Sequence, residues 1–136
     1  MKKKFYICTA IAYVNAPPHI GHALEFIQAD AMARYHRMIG DDTYFLTGTD
    51  EHGVKIYQAA EKAGMPVQDF VDKNARTFID LKDVLWLSYD DFIRTSSARH
   101  KEGAKKIWEK MWAAGDIYKG KYEGLYCVGC EAFIPE

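Results

Sequence analysis

This chain of 136 residues has few cysteines, three in all (Cys8, Cys127 and Cys130), and only four prolines. Three thiols give no even disulfide framework, which excludes the small, staple-held class of secreted domains. There is no internal repeat and no low-complexity tract, which excludes a solenoid or a linker. No apolar run approaches the ~20 residues that a membrane-spanning helix needs. Charge of one sign is also missing: 18 Lys and Arg meet 19 Asp and Glu, for a formal net charge of −1. Bulk attraction to nucleic acid is therefore excluded. Positive charge is dense only locally. Residues 99–121 hold seven Lys or Arg, among them Arg99, Lys105, Lys106 and Lys110, against Glu102, Glu109 and Asp116. That stretch is either a solvated helix face or a patch that meets RNA phosphates.

What remains suits a domain with a real core, since 49% of the residues are hydrophobic and 27% charged. The N-terminus imitates a secretory signal, with Lys2–Lys4 before an apolar segment and a small-residue site at Val14-Asn15-Ala16. Phe5–Val14 is aromatic and β-branched, however, and reads equally well as a buried strand. Cleavage after Ala16 would discard the strand that the next helix packs against. A cytoplasmic location is the expectation.

The patterning predicts a strand over Lys4–Thr9 and a loop over Ala10–Pro18. A helix follows from about Ile20 to Met38, its apolar face made of Ile20, Leu24, Ile27, Ala31, Tyr35 and Met38. Gly40 ends it, Asp41 and Asp42 turn the chain, and Thr43–Thr47 makes a second strand. Strand, helix, strand in that order implies parallel pairing. Gly48–Gly53 is read as a loop at that strand's carboxyl end, where ligands bind in open α/β sheets. Helices are expected over Val54–Ala63 and from near Pro66 to about Trp86, and a third strand over Tyr89–Thr95. A last helix over Ala98–Ala114 is expected to bury Ala104, Ile107, Trp108, Met111 and Trp112. Composition shifts at Gly115, and 116–136 is aromatic, glycine-dotted and hairpin-like. The expected organisation is one α/β domain over 1–115 and a second module beginning at 116–136.

The most informative segment is Pro18-His19-Ile20-Gly21-His22, at the start of the first helix. Two imidazoles three residues apart share one helix face. They stand beside unpaired backbone N–H groups at the positive end of the helix dipole, which suits a polyphosphate. Gly21, lacking a side chain, lets a flat ring or a phosphate approach the backbone. Metal binding by the pair is the rival reading, but no third ligand lies nearby in the sequence.

These segments resemble methionyl-tRNA synthetases, a family of class I aminoacyl-tRNA synthetases. The resemblance spans essentially the whole chain. It rests on Tyr13-Val14-Asn15 before the His-Ile-Gly-His segment, on Leu46-Thr47-Gly48-Thr49-Asp50-Glu51-His52-Gly53, and on Tyr89-Asp90-Asp91-Phe92-Ile93-Arg94-Thr95. Gly115-Asp116-Ile117-Tyr118 and Tyr122-Glu123-Gly124-Leu125-Tyr126-Cys127 complete it. The His-Ile-Gly-His signature indicates only the class. The Thr-Asp-Glu-His-Gly and Tyr-Glu-Gly-Leu-Tyr-Cys segments point to the methionine family.

The resemblance implies a partial Rossmann-like, class I synthetase nucleotide-binding fold, with the start of an inserted connective module of the zinc-knuckle type. It implies activation of methionine by ATP, with Mg2+, to methionyl-adenylate, and transfer to tRNA(Met). His19 and His22 would be the catalytic donors to phosphate oxygens. Asn15, His19, Gly21, His22 and Glu25 would bind ATP; for Glu25 a solvated, dipole-stabilised position is the alternative. Asp50 would hold the methionine ammonium, unless it caps the next helix. Ile11 and Tyr13 would line the methionine pocket, unless they only fill core. His52 also matches a family position, whereas His36 and His100 do not and are read as surface residues. Ala10 and Ala12 stand where the family has a proline and a larger residue. Cys127 and Cys130 look like half of a Zn2+ site whose remaining ligands come later in the family; a redox pair is the alternative.

Three strand candidates are fewer than such a sheet needs. The second phosphate-clamping loop of the family, of the Lys-Met-Ser-Lys-Ser type, is missing, and so is an anticodon-binding domain. The chain is therefore expected to be a fragment, weakly active alone and prone to self-association through an open sheet edge. Other readings stay open. They are a class I synthetase for leucine, valine or cysteine, a small nucleotidyltransferase, and a non-catalytic RNA-binding module.

Overall fold

The computed structural model describes residues 2–127 and 129–134. Met1, Val128, Pro135 and Glu136, which fall within the two expected modules, lie outside the described residues. The chain divides into two compact units, Met1–Glu102 and Gly103–Glu136.

The first unit is built on a parallel sheet. Its strands are β1 (Lys4–Cys8), β2 (Ala12–Tyr13), β3 (Asp42–Asp50) and β4 (Asp91–Arg94). All the others pair with β3, and all in parallel. Leu46 pairs with both Cys8 and Asp91, and Thr49 with both Ala12 and Arg94. Hence β1 and β2 follow one another along one side of β3, and β4 lies on the other. The backbone of β4 comes so close at Gly48 that a Cβ there would sit 2.0 Å from the Ile93 carbonyl oxygen. Only glycine fits that position.

Helix α1 (Ile20–Met38) joins β1 and β2 to β3, and packs on β3 and β1. Gly40, at φ +91°, turns the chain out of it. Helices α2 (Val54–Lys62) and α3 (Val67–Val84) pack on each other, and α3 reaches β3. Phe26, Phe45, Phe78, Ile56 and Val14 are the fully buried apolar centre. Just past α3, Trp86 takes a left-handed φ of 52°, a conformation that favours glycine. Its carbonyl is held by the Arg34 guanidinium.

Several sequence expectations are corrected. Gly48–Asp50 are not loop but the last residues of β3, with Gly48 and Thr49 paired to β4 and Thr49 and Asp50 paired to β2. Ala12–Tyr13, read as loop, is a short strand. The face of α1 that enters the core is Phe26, Ala29, Asp30 and Ala33. The apolar stripe expected to do so is open: Ile20 is 89% exposed and Met38 84%. An acid marks the true inner face. Asp30 accepts from the Ser88 amide and hydroxyl, both at 2.6 Å, and from Arg34 Nε at 2.5 Å. Burial pushes its carboxyl up, but these bonds and the Arg34 charge outweigh it and hold it below the usual carboxylate range. His36 is not a surface residue. It stacks on Phe5, with ring centroids 3.4 Å apart, and its Nδ1 lies 2.7 Å from Asp41.

Helix α4 (Ala98–Ala114) runs from the first unit into the second. It buries none of its side chains: Ala104, Ile107, Trp108, Met111 and Trp112 are all exposed. Periodicity reported an apolar face correctly, but periodicity does not say what covers it. In the second unit, β5 (Tyr126–Cys127) and β6 (Ala132–Phe133) form an antiparallel hairpin. Phe133 meets Tyr122 and Tyr126 edge-on, with ring centroids 4.6 and 5.2 Å apart.

Candidate active site

The start of α1 and the last residues of β3 lie at the carboxyl end of the sheet. The register fixes this, because Tyr13 pairs with Asp50 and only six residues separate Tyr13 from Ile20.

His19 is the N-cap of α1, with extended backbone (φ −121°, ψ 177°). Its Nδ1 accepts from the Gly21 amide at 3.0 Å, and the His19 amide donates to His22 Nδ1 at 3.2 Å. This is a capping box in which two imidazoles replace the usual hydroxyl and carboxylate. The rings stack, with centroids 3.9 Å apart, and His22 meets the edge of buried Phe78 at 5.1 Å. A Cβ on Gly21 would lie 2.9 Å from His19 Cε1. Gly21 therefore makes room for the capping imidazole itself.

The capping bonds determine the chemistry the rings offer. Each Nδ1 accepts a backbone N–H, so each neutral ring carries its proton on Nε2. Two Nε2–H donors remain at the helix start. Burial lowers the His22 pKa and the neighbouring His19 lowers it further, against an opposing pull from Glu25. The shift favours the neutral ring, in keeping with its accepting Nδ1.

Glu25, one turn on, faces the loop after β1: the Ala10 amide donates to its Oε1 at 2.8 Å. A proline at position 10 could not donate. Ala12 and Val14 point into the core, so by the two-residue alternation of a strand Ile11 and Tyr13 face away from it. They are 39% and 36% exposed, which does not favour simple core filling. Asn15 is exposed in the turn after β2, and the Val14 carbonyl before it accepts from buried Asn74 at 2.7 Å.

Asp50 ends β3 half-buried. It does not cap α2, whose N-cap is Gly53 with no side-chain cap bond. Beside it, Glu51 is a fully buried carboxylate. Its Oε1 accepts from Arg94 Nε and Thr49 Oγ1, both at 2.7 Å, and its Oε2 from Ser96. Arg94 also pairs with Asp72 of α3. Burial pushes the Glu51 carboxyl up, yet the three bonds and the Arg94 charge bring it below the usual range. His52 is exposed, its Nε2 3.4 Å from the Thr95 carbonyl. The sequence reading missed Glu51, Arg94, Asn74 and Thr95 as site residues. The signal was present, since three of the four lie inside Leu46–Gly53 and Tyr89–Thr95, two of the segments that carried the resemblance.

Cys127 and Cys130 belong to the second unit, where the Cys130 amide approaches Cys127 Sγ at 3.4 Å. Two thiols fit half of a tetrahedral zinc site. Among the described residues no group of three or more His, Cys, Asp or Glu gathers to complete one.

The family described as tRNA synthetases class I (M) matches residues 5–136. The methionine–tRNA ligase of Brucella suis biovar 1 (strain 1330) is 53% identical over 135 residues, 99% of this chain and 26% of its own length. That of Mycobacterium leprae (strain TN) is 53% identical over 134 residues, 98% of this chain and 25% of its own. The structure of Mycobacterium tuberculosis methionyl-tRNA synthetase in complex with methionyl-adenylate superposes with a TM-score of 0.93 at 48% identity, covering 100% of this chain and 26% of that one. The chain thus spans about a quarter of the length of the curated relatives it matches. With two imidazole donors at the helix start, a parallel sheet beneath them and a family match over nearly its whole length, the chain belongs to the class I aminoacyl-tRNA synthetases, in the methionyl-tRNA synthetase family.

Proposed function

We propose that this chain supplies the first half of the activation site of a methionine–tRNA ligase. The reaction joins methionine to ATP, giving methionyl-adenylate and pyrophosphate, and then passes the methionyl group to tRNA(Met). One observation carries the reading: the reciprocal cap occupies Nδ1 of both His19 and His22 and leaves their Nε2 sides as the donors at the start of α1.

In the first step a methionine carboxylate oxygen attacks the α-phosphorus, and the bond to pyrophosphate breaks. Negative charge spreads over the phosphoryl oxygens, and donors fixed beforehand stabilise it without reorganising. Imidazole donors held by a cap suit this role, because their position is set before the charge develops. ATP enters as its Mg2+ complex, so the metal arrives with the substrate. Asn15, Gly21 and Glu25 would lie along the nucleotide. Asp50 would pair with the methionine ammonium, and Ile11 and Tyr13, turned away from the core, would meet the thioether. In the second step a hydroxyl at the tRNA 3′ end attacks the acyl carbon and AMP leaves.

The second unit, with Cys127 and Cys130, would begin the connective module, with its own sequence at 116–136. We place the activity in the cytoplasm. Cleavage of the N-terminal segment as a signal would remove β1 and β2, on which the sheet is built.

The test is exchange of labelled pyrophosphate into ATP by the full-length gene product. Exchange should depend on methionine and not on leucine, valine or cysteine. Dependence on one of those three instead, or tRNA binding with no exchange, would overturn the reading.

A further inference from the structure

Two of the segments that carry the resemblance, Leu46–Gly53 and Tyr89–Thr95, meet at one residue, Thr95, which is 7% exposed. Its amide donates to the Thr49 carbonyl at 3.2 Å. Its hydroxyl oxygen accepts from the Glu51 amide at 2.8 Å and lies 3.5 Å from Asp50 Oδ1. Its carbonyl faces His52 Nε2 at 3.4 Å. One residue thus touches four consecutive positions, 49 to 52. A hydroxyl has one hydrogen to give. Because its oxygen is already held by the Glu51 amide, that hydrogen is left for the Asp50 carboxylate.

Beneath this contact lies the Glu51–Arg94 pair, anchored to Thr49, Ser96 and Asp72. A buried ion pair is a poor way to gain stability, because the desolvation cost consumes most of the attraction. It is a good way to hold two strand ends at one separation. Asp50 would otherwise be a carboxylate on a strand end with its rotamers free.

We propose that Thr95 is a positioning residue. Its hydroxyl, seated on the Glu51 amide, fixes the Asp50 carboxylate so that it presents one orientation to the substrate ammonium. The inference rests on the proposed role of Asp50, and the experiment separates the two.

Methionine-dependent pyrophosphate exchange is measured in the full-length gene product for the wild type, Thr95→Val, Thr95→Ser and Asp50→Asn. The inhibition constant of 4-(methylthio)butanoate, which is methionine without its amino group, is measured for each. Thr95→Val should raise the methionine KM roughly three- to ten-fold, the range of one net hydrogen bond, with kcat little changed. Thr95→Ser should restore it, and inhibition by the des-amino analogue should stay constant throughout. Equal losses in Thr95→Val and Thr95→Ser, or a parallel loss of analogue binding, would mean packing and would overturn the inference. If Asp50→Asn raises the methionine KM while Thr95→Val does not, the Asp50 reading stands and the inference alone falls. If Asp50→Asn changes nothing, both fall. Where Thr95→Val yields no soluble protein, Thr95→Ala takes its place and is read in the same way.

Discussion

His19 and His22 cap one another: the amide of the first donates to Nδ1 of the second at 3.2 Å, while Nδ1 of the first accepts from Gly21 at 3.0 Å. The same two side chains therefore close the helix and expose its donors. That double duty separates cleanly by mutation. His19→Ala should cost about 1 kcal/mol of folding stability, the usual penalty for losing a cap. His19→Asn should recover most of that, because asparagine is a strong N-cap. Urea denaturation of the two variants checks it. Equal stability of His19→Ala and the wild type would show that the cap contributes nothing.

The depressed pKa of His22 gives a pH dependence with a defined sign. Above about pH 6.5, the ordinary histidine value, the ring is neutral whether the chain is folded or not. Below it the unfolded chain binds a proton that the folded chain resists, so stability falls with falling pH. The loss ends once the pH has passed below the lowered folded value. The measurement is the stability difference between wild type and His22→Gln from pH 8 downward. It should be flat above about 6.5 and shrink below. A difference that grows on acidification would mean the ring is protonated in the fold.

The open stripe on α1 predicts association. Ile20, Leu24, Ile27, Tyr35 and Met38 are each roughly half exposed or more, on one side of one helix. Contiguous apolar surface of this kind drives contact between chains. Sedimentation velocity over a concentration series should show self-association of the 136-residue chain, reduced by Ile27→Glu together with Tyr35→Glu. A monomer at every concentration would contradict it.

For zinc, Cys127 and Cys130 supply two ligands where a closed structural site takes four. Elemental analysis of the purified chain should find less than one zinc per chain, or one shared between two chains. Tight binding of one zinc per monomer would show that further ligands exist within the chain.

Much of this site was legible in the sequence, and the reasons it stopped short are physical. The bounds of α1 followed from a proline before it, a glycine after it and the periodicity between. Its inner face did not, because Asp30 is a buried acid and pattern reading treats an acid as an outward position. What makes Asp30 an inner residue is Ser88, 58 positions away in sequence. His36 was misplaced for the same reason, since its partner Phe5 lies on β1, outside the helix. The two-residue strand at Ala12–Tyr13 is too short for alternation to show, and it exists because β3 continues past Thr47 to receive it. Glu51 and Thr95 stood within segments already singled out, but their link spans 44 residues and appears only when β3 and β4 pair.

The central claim is that the helix start is a donor site for phosphate, and His19→Asn tests it most directly. Asparagine keeps the cap and removes the imidazole Nε2–H. In the full-length gene product, methionine-dependent pyrophosphate exchange should fall on the order of 10²-fold, with the methionine KM nearly unchanged, because a donor felt in the transition state is lost. Near-wild-type exchange in a stably folded His19→Asn protein would contradict the account and leave the two histidines as caps alone.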